Sequence, residues 1–177
     1  MKLVILDRDG VINHDSEAFI KSPAEWKPIA GSLAAIARLN QAGFHVIVAS
    51  NQSGVGRGLL DMAALNAIHD KMHKALAQAG GRVDAIFFCP HAADDNCHCR
   101  KPRPGMLTDI AHRLNTDLNA VPVVGDSIRD LQAAVAAGAS PVLVLTGNGK
   151  KTQRAGGLPP GTRVFADLAA AADALIA

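Results

Sequence analysis

Six short runs rich in β-branched and other apolar residues, at 3–6, 44–49, 85–88, 121–124, 141–145 and 163–165, alternate along the chain with segments of helical spacing. Residues 32–42 carry Leu33, Ile36, Ala37 and Leu39 toward one face and stop at Gly43. Residues 61–79 open on Asp61, a candidate N-cap, and stop at Gly80-Gly81. Further helices are expected at 104–114, at 127–137 before Gly138, and at 168–176. Parallel neighbouring strands require crossover connections, and this alternation supplies them. The expectation is an α/β fold, a doubly wound and mostly parallel sheet with helices on both faces. No repeat or low-complexity linker interrupts it, so residues 1–177 are expected to form a single domain. Two stretches, 13–28 and 89–104, read as long irregular loops, which in a compact domain are usually functional or stapled.

Composition narrows the class of partner. Eighteen basic residues against 16 acidic leave a net charge of +2 with no block of like charge, which favours neither nucleic acid nor a membrane surface. Five Phe, one Trp and no Tyr offer little for base stacking. The N-terminal apolar run ends at Asp7, too early for a signal-peptide core, and no stretch is long enough to cross a bilayer. A soluble, cytoplasmic protein is expected. Cys89, Cys97 and Cys99 fall within eleven residues, whereas a secreted disulfide framework usually spreads an even number along the chain; the clustering suggests a metal.

In open α/β sheets ligands bind beyond the carboxyl ends of the strands, where strand order reverses. The first run leads into Asp7-Arg8-Asp9-Gly10, the second into Ser50-Asn51-Gln52, and the fourth into Gly125-Asp126-Ser127 with Asp130 four residues on. If the first and fourth strands are neighbours, Asp7 and Asp126 face one another and repel unless a cation lies between them. A hard, oxygen-seeking ion such as Mg²⁺ fits. Taken singly, Asp7 and Asp9 could be turn residues and Asp126 a helix N-cap. Polar groups at three strand ends together weigh against that reading.

These residues resemble the motifs of the haloacid-dehalogenase-like phosphatases, and the resemblance spans almost the whole chain. Asp7 and Asp9 match that family's Asp-x-Asp, Ser50 its second motif, Lys101 its third, and Gly125, Asp126 and Asp130 its acidic fourth. The resemblance implies a Rossmann-like core in which Asp7 is the nucleophile and Asp9 the general acid and base. It implies Mg²⁺ held by Asp7, the Asp9 backbone carbonyl and Asp126. Ser50 and Lys101 would grip the phosphoryl oxygens, and Asp130 would orient Lys101 or a metal-bound water. Phosphoryl transfer depends largely on such positioning and charge stabilisation.

Cys89-Pro90-His91 and Cys97-His98-Cys99 supply three thiols and two imidazoles, of which three thiols and one imidazole make a donor set suited to a closed, tetrahedral Zn²⁺ site. Either His91 or His98 could be the fourth ligand. A zinc-stapled loop marks one branch of the resembled family, and that resemblance favours His91. The ion would precede Arg100-Lys101 and fix where the lysine enters the site, supporting catalysis without performing it.

Three other patterns carry less. Gly54-Val55-Gly56-Arg57-Gly58 resembles a dinucleotide fingerprint but has Leu59 at the third glycine position, so a flexible phosphate-lining loop is expected. His69 and His73 have zincin spacing but Asp70 stands where Glu is needed, so a solvated helix face is expected for both. Gly147–Thr152 ends like a P-loop, but its leading glycine is misplaced and no helix pattern follows cleanly, so an exposed basic loop is expected.

Neither long loop has room for a large cap domain, so the site should be open and its specificity set by loops. The chain resembles most the branch acting on a sugar bisphosphate, with a histidinol-phosphate branch next. Asn51, Gln52, Ser53, Arg57, Arg100 and Lys101 are the candidate substrate-binding residues. Ser127 departs from relatives that carry Lys there. The resemblance to the sugar-bisphosphate branch implies a small phosphorylated sugar used in cell-envelope synthesis as the substrate; no nucleic-acid or membrane partner and a monomeric state are expected. A catalytically silent zinc-loop binding module is the alternative of another class.

Overall fold

The computed structural model describes residues 1–177. In chain order the elements are β1 (Lys2–Leu6), α1 (Ser32–Gln41), β2 (Phe44–Asn51), the one-turn α2 (Ser53–Gly56), α3 (Met62–Gln78), β3 (Ala85–Cys89), α4 (Gly105–Arg113), β4 (Pro122–Gly125), α5 (Ile128–Ala136), β5 (Ser140–Val144), α6 (Gly149–Ala155), β6 (Arg163–Phe165) and α7 (Leu168–Ile176). All neighbouring strands are parallel, in the order β3-β2-β1-β4-β5-β6. The order reverses between β1 and β4, where Leu6 stands opposite Val124. Asp7 and Asp126 emerge together there.

Side-chain alternation along β1 builds two cores. Val4 and Leu6 point to the face covered by α1, α3 and α7, where Ile36, Leu65, Ile68, Met72 and Leu168 are buried. Leu3 and Ile5 point to the opposite face, against Met106, Leu107 and Ile110 of α4 and Ala133 and Ala134 of α5. Each fully buried aliphatic side chain contributes roughly 1.5–3 kcal/mol relative to exposure. This two-sided burial fixes the strand register and hence the place of the residues beyond the strand ends.

Caps set where the helices begin. Asp61 accepts a hydrogen bond from the Ala64 N–H at 2.8 Å, and Asp167 one from the Ala170 N–H at 2.8 Å; losing such a cap costs about 1 kcal/mol. At α5 the N-cap is Ser127, not Asp126. β2 and β3 run further than their apolar runs indicate, because the ladder continues through Ser50–Phe88 and Asn51–Cys89.

The loop 13–28 is anchored. Trp26 and Ile20 are buried, and Lys71 of α3 donates to the carbonyls of Pro23 and Trp26 at 2.7 and 2.8 Å. Three expectations need correction. Gly149–Ala155 is a helix, not a loop: it has no apolar stripe to announce it, and Thr152 Oγ1 and the Asn148 N–H tie it to Asp126 at 2.8 Å each. The glycine segment is packed instead of flexible, since a Cβ on Gly54 would stand 2.7 Å from Leu60 and one on Gly56 would run into the Pro90 carbonyl. His73 is exposed as expected, but His69 is buried. No helix is long and apolar enough to cross a membrane.

Candidate active site

The ends of β1, β2 and β4, with the loop after β3, converge on a cavity of about 270 Å³ lined by 17 residues, of which only Phe19 and Ile20 are apolar. Such a lining suits a small, highly polar ligand. Asp7, Asp9, Asn51, Gln52, Ser53, Arg57, Arg100, Lys101, Asp126 and Asp130 all line it. Ser50 lies buried at its edge, its Oγ 2.7 Å from Gln52 Nε2.

Lys101 organises the floor. Its Nζ lies 2.6 Å from Asp130 Oδ1, 2.8 Å from the Ala49 carbonyl and 3.2 Å from Asp7 Oδ1. Burial works against this ammonium, but the carboxylates of Asp130 and Asp7 outweigh it and hold its pKa above the ordinary lysine value. Asn51 places the lysine: its amide receives the Lys101 N–H and donates to the Lys101 carbonyl, at 3.0 and 3.1 Å.

One lysine does not balance the carboxylates around it. Asp7, Asp126 and Asp130 bring ligand oxygens within 4.8 Å of one another. Burial, then Asp130 and Asp126, raise the pKa of Asp7 well above the carboxylate range against the pull of Lys101. Burial and then Asp130 push Asp126 up to about 7. Asp130 is committed elsewhere: Oδ1 to Lys101, and Oδ2 to the Asp126 N–H, the Ser127 N–H and the Ser127 hydroxyl at 3.0–3.2 Å. Asp7 and Asp126 therefore form the pair that a hard divalent cation would relieve, and the oxygen donor set fits magnesium.

Asp9 is held from two sides. Its Oδ1 accepts from Arg8 Nε at 2.8 Å and Asn13 Nδ2 at 2.9 Å, and its Oδ2 from Gln52 Nε2 at 3.2 Å. With Oδ1 already receiving two donors, Oδ2 is the oxygen available for proton exchange.

Beside the cavity, Cys89, His91, Cys97 and Cys99 gather into one cluster. Cys89 Sγ lies 3.1 Å from Cys99 Sγ and 3.6 Å from Cys97 Sγ, and His91 Nδ1 lies 3.3–3.4 Å from Cys99 and Cys89. Three thiols and an imidazole gathered this closely are a donor set that fits tetrahedral zinc, whose Zn–S bonds of about 2.3 Å would space the sulfurs somewhat wider, about 3.8 Å apart. His98 stays outside: its side chain is exposed and faces Asp109 at 3.7 Å. The cysteine loop is joined to the glycine segment by the Gly56 N–H on the Pro90 carbonyl, at 2.8 Å.

Seven of the lining residues were not among the sequence candidates, and three of them bear on the site's polarity. Asp15 and Asn148 close one side through a 3.3 Å hydrogen bond. Arg129, exposed on the first turn of α5, joins Arg57 and Arg100 at the rim. Its place between Ser127 and Asp130 was the available signal.

This geometry has close counterparts. A HAD-hydrolase-like family model matches residues 98–171. The D-glycero-beta-D-manno-heptose-1,7-bisphosphate 7-phosphatase of Bordetella bronchiseptica is 66% identical over 176 residues, covering 99% of this chain and 98% of that protein. The chain belongs to the HAD-like heptose-1,7-bisphosphate 7-phosphatase family. A family member from Pseudomonas putida is 53% identical over 99% of this chain and its own full length. The crystal structure of the B. bronchiseptica D,D-heptose 1,7-bisphosphate phosphatase, complexed with magnesium and phosphate, matches with a TM-score of 0.98 over 99% of this chain and 98% of that one. The Burkholderia thailandensis D,D-heptose 1,7-bisphosphate phosphatase matches at 0.81 with 55% identity, covering 100% and 99%. Magnesium in so close a family member agrees with the electrostatic need between Asp7 and Asp126.

Proposed function

We propose that this chain removes the 7-phosphate of D-glycero-β-D-manno-heptose 1,7-bisphosphate, leaving the heptose 1-phosphate for the synthesis of ADP-heptose and lipopolysaccharide-core precursors. The observation that carries the reading is the meeting of Asp7, Asp126 and Lys101 at the sheet's reversal point, in a small polar cavity ringed by arginines. The 66% identity to a family member of that activity supports the substrate.

An Asp7 carboxylate oxygen attacks phosphorus in line with the bond to the sugar oxygen. A P–O bond to Asp7 forms as the bond to the sugar breaks, and its electron pair leaves with the sugar oxygen. Asp9, protonated on Oδ2, gives its proton to that oxygen. It then takes a proton from the water that attacks the aspartyl-phosphate, releasing inorganic phosphate and restoring Asp7. Lys101 and Ser50 hold the phosphoryl oxygens, with Asn51 fixing the lysine's backbone. Asp7, Asp126 and the Asp9 carbonyl would hold magnesium, which would supply the positive charge that keeps Asp7 ionised beside an anionic substrate. Arg57, Arg100 and Arg129, with Gln52 and Ser53, receive the rest of the substrate, and the guanidinium groups match a second phosphate. Cys89, His91, Cys97 and Cys99 would hold zinc, which would fix the loop that delivers Lys101. The protein works as a monomer.

Phosphorus NMR on a bisphosphate digest, run beside histidinol phosphate, tests the reading. The 7-phosphate signal should give way to inorganic phosphate while the 1-phosphate signal persists. Faster release from histidinol phosphate would move the assignment there, because an amine and an imidazole gain nothing from three arginines.

A further inference from the structure

Arg8 lies between the Asp9 carboxylate and helix α3. Its guanidinium is fully buried, yet only two of its nitrogens have partners: Nε donates to Asp9 Oδ1 at 2.8 Å, and Nη1 lies 3.1 Å from His69 Nε2. Nη2 is buried without a partner. An arginine always carries its charge and has no acceptor, so the imidazole nitrogen facing it must be the acceptor and the ring proton must sit on Nδ1. His69 is neutral to suit: burial first, then the charge of Arg8, lowers its pKa to about 4. The ring is itself fixed, tilted against Phe88 with centroids 6.5 Å apart and only 8% exposed.

We infer that His69 is a positioning residue for catalysis, which acts through the Arg8 guanidinium to hold Asp9 Oδ1 and leave Oδ2 turned toward the leaving oxygen. A guanidinium is a planar fork, so fixing Nη1 fixes the direction in which Nε points. The Asp9 carboxylate is then gripped by Arg8 and Asn13 on one oxygen and reached by Gln52 on the other. Without His69 the fork can rotate about its side-chain bonds, and Asp9 turns with it. Misplacement of a proton donor by a fraction of an ångström costs rate without loosening substrate binding. The inference rests on the reading of Asp9 as general acid.

The test compares kcat/KM on two leaving groups, a sugar phosphate and p-nitrophenyl phosphate, for wild type, His69→Leu, His69→Gln and Asp9→Asn. A sugar alkoxide must be protonated as it leaves; p-nitrophenolate departs without a proton. His69→Leu should lose about 10-fold on the sugar phosphate and little on p-nitrophenyl phosphate, with KM unchanged. His69→Gln, whose amide oxygen can accept from Arg8, should recover most of the loss. Asp9→Asn should show the same selectivity more strongly. A purely structural His69 would lower the melting temperature and leave the ratio of the two substrates at the wild-type value, which overturns the inference. If Asp9→Asn shows the selectivity and His69→Leu does not, the positioning role falls and the acid role stands. If neither shows it, both fall. Should His69→Leu not fold, Arg8→Lys carries the same test, because one ammonium cannot replace the fork between Asp9 and His69; an unchanged ratio there overturns the inference equally.

Discussion

Lys101 Nζ stands 2.6 Å from Asp130 Oδ1, with both side chains almost completely buried, so the cation at the cavity floor is placed by a carboxylate that has no free oxygen for anything else. Removing one partner of a buried ion pair leaves an uncompensated charge. Asp130→Ala should therefore lose about 3 kcal/mol of stability and also free the Ser127 cap. Urea unfolding and turnover measured on the same preparation should fall together; unchanged stability would show that Asp7 alone suffices for Lys101.

The raised carboxylates give a pH signature. A carboxylate whose folded pKa lies above its unfolded value of 3.8 binds more protons in the folded state, so stability falls as pH rises through that interval. For Asp126 the interval ends at about 7, and Asp7 is displaced in the same direction. Magnesium replaces the missing protons. The rise in melting temperature on adding Mg²⁺ should be larger at pH 8 than at pH 5, and activity should vanish on chelation and return with Mg²⁺. Comparing with and without the ion at each pH cancels the opposite contribution of His69, whose depressed pKa makes folding less favourable as pH falls below 6.5. An equal or smaller rise at pH 8 would contradict the pairing of Asp7 with Asp126 around a cation.

The cysteine cluster should hold one zinc per chain. Cys99→Ser should lower zinc content and melting temperature, because metal binding and loop folding are coupled. It should also reduce turnover, since the loop delivers Lys101. Metal analysis of protein prepared without chelators, with titration of the thiols, checks this; three freely reactive thiols and no zinc would count against the site.

The rim arginines should distinguish substrates. Arg57→Ala, Arg100→Ala and Arg129→Ala should each lower kcat/KM for the bisphosphate by about 10- to 100-fold, the loss of a charged hydrogen bond, and for a simple monophosphate by much less. Equal losses on both would place these side chains away from the second phosphate.

Strand–helix alternation implied a parallel sheet and the polar residues stood at the ends of the apolar runs, but the facing of Asp7 and Asp126 depended on β1 and β4 being neighbours, which the Leu6–Val124 pairing supplies. The candidate zinc donors were legible from spacing, which alone did not separate His91 from His98; the family resemblance favoured His91, and the fold brings His91 to the cysteines. Other features depend on contacts between distant segments. Helix α6 lacks an apolar stripe and is fastened through Asp126. Arg129 had a signal in its place beside Asp130, but its reach to the cavity rim depends on how α5 is set against the other strand ends. His69 had a signal that its pairing with His73 obscured: with Leu65, Met72 and Leu76 it falls on the buried face of α3.

The nucleophile is the centre of the account, and turnover of heptose 1,7-bisphosphate by Asp7→Asn tests it most directly. The amide is nearly isosteric and removes a buried, destabilised carboxylate, so the variant should fold with a melting temperature at or above that of the wild type. Without a nucleophilic oxygen, its release of the 7-phosphate should fall by more than about 10³-fold. Turnover within about tenfold of wild type, by a protein shown to be free of wild-type contamination, would exclude Asp7 as the phosphate-accepting residue.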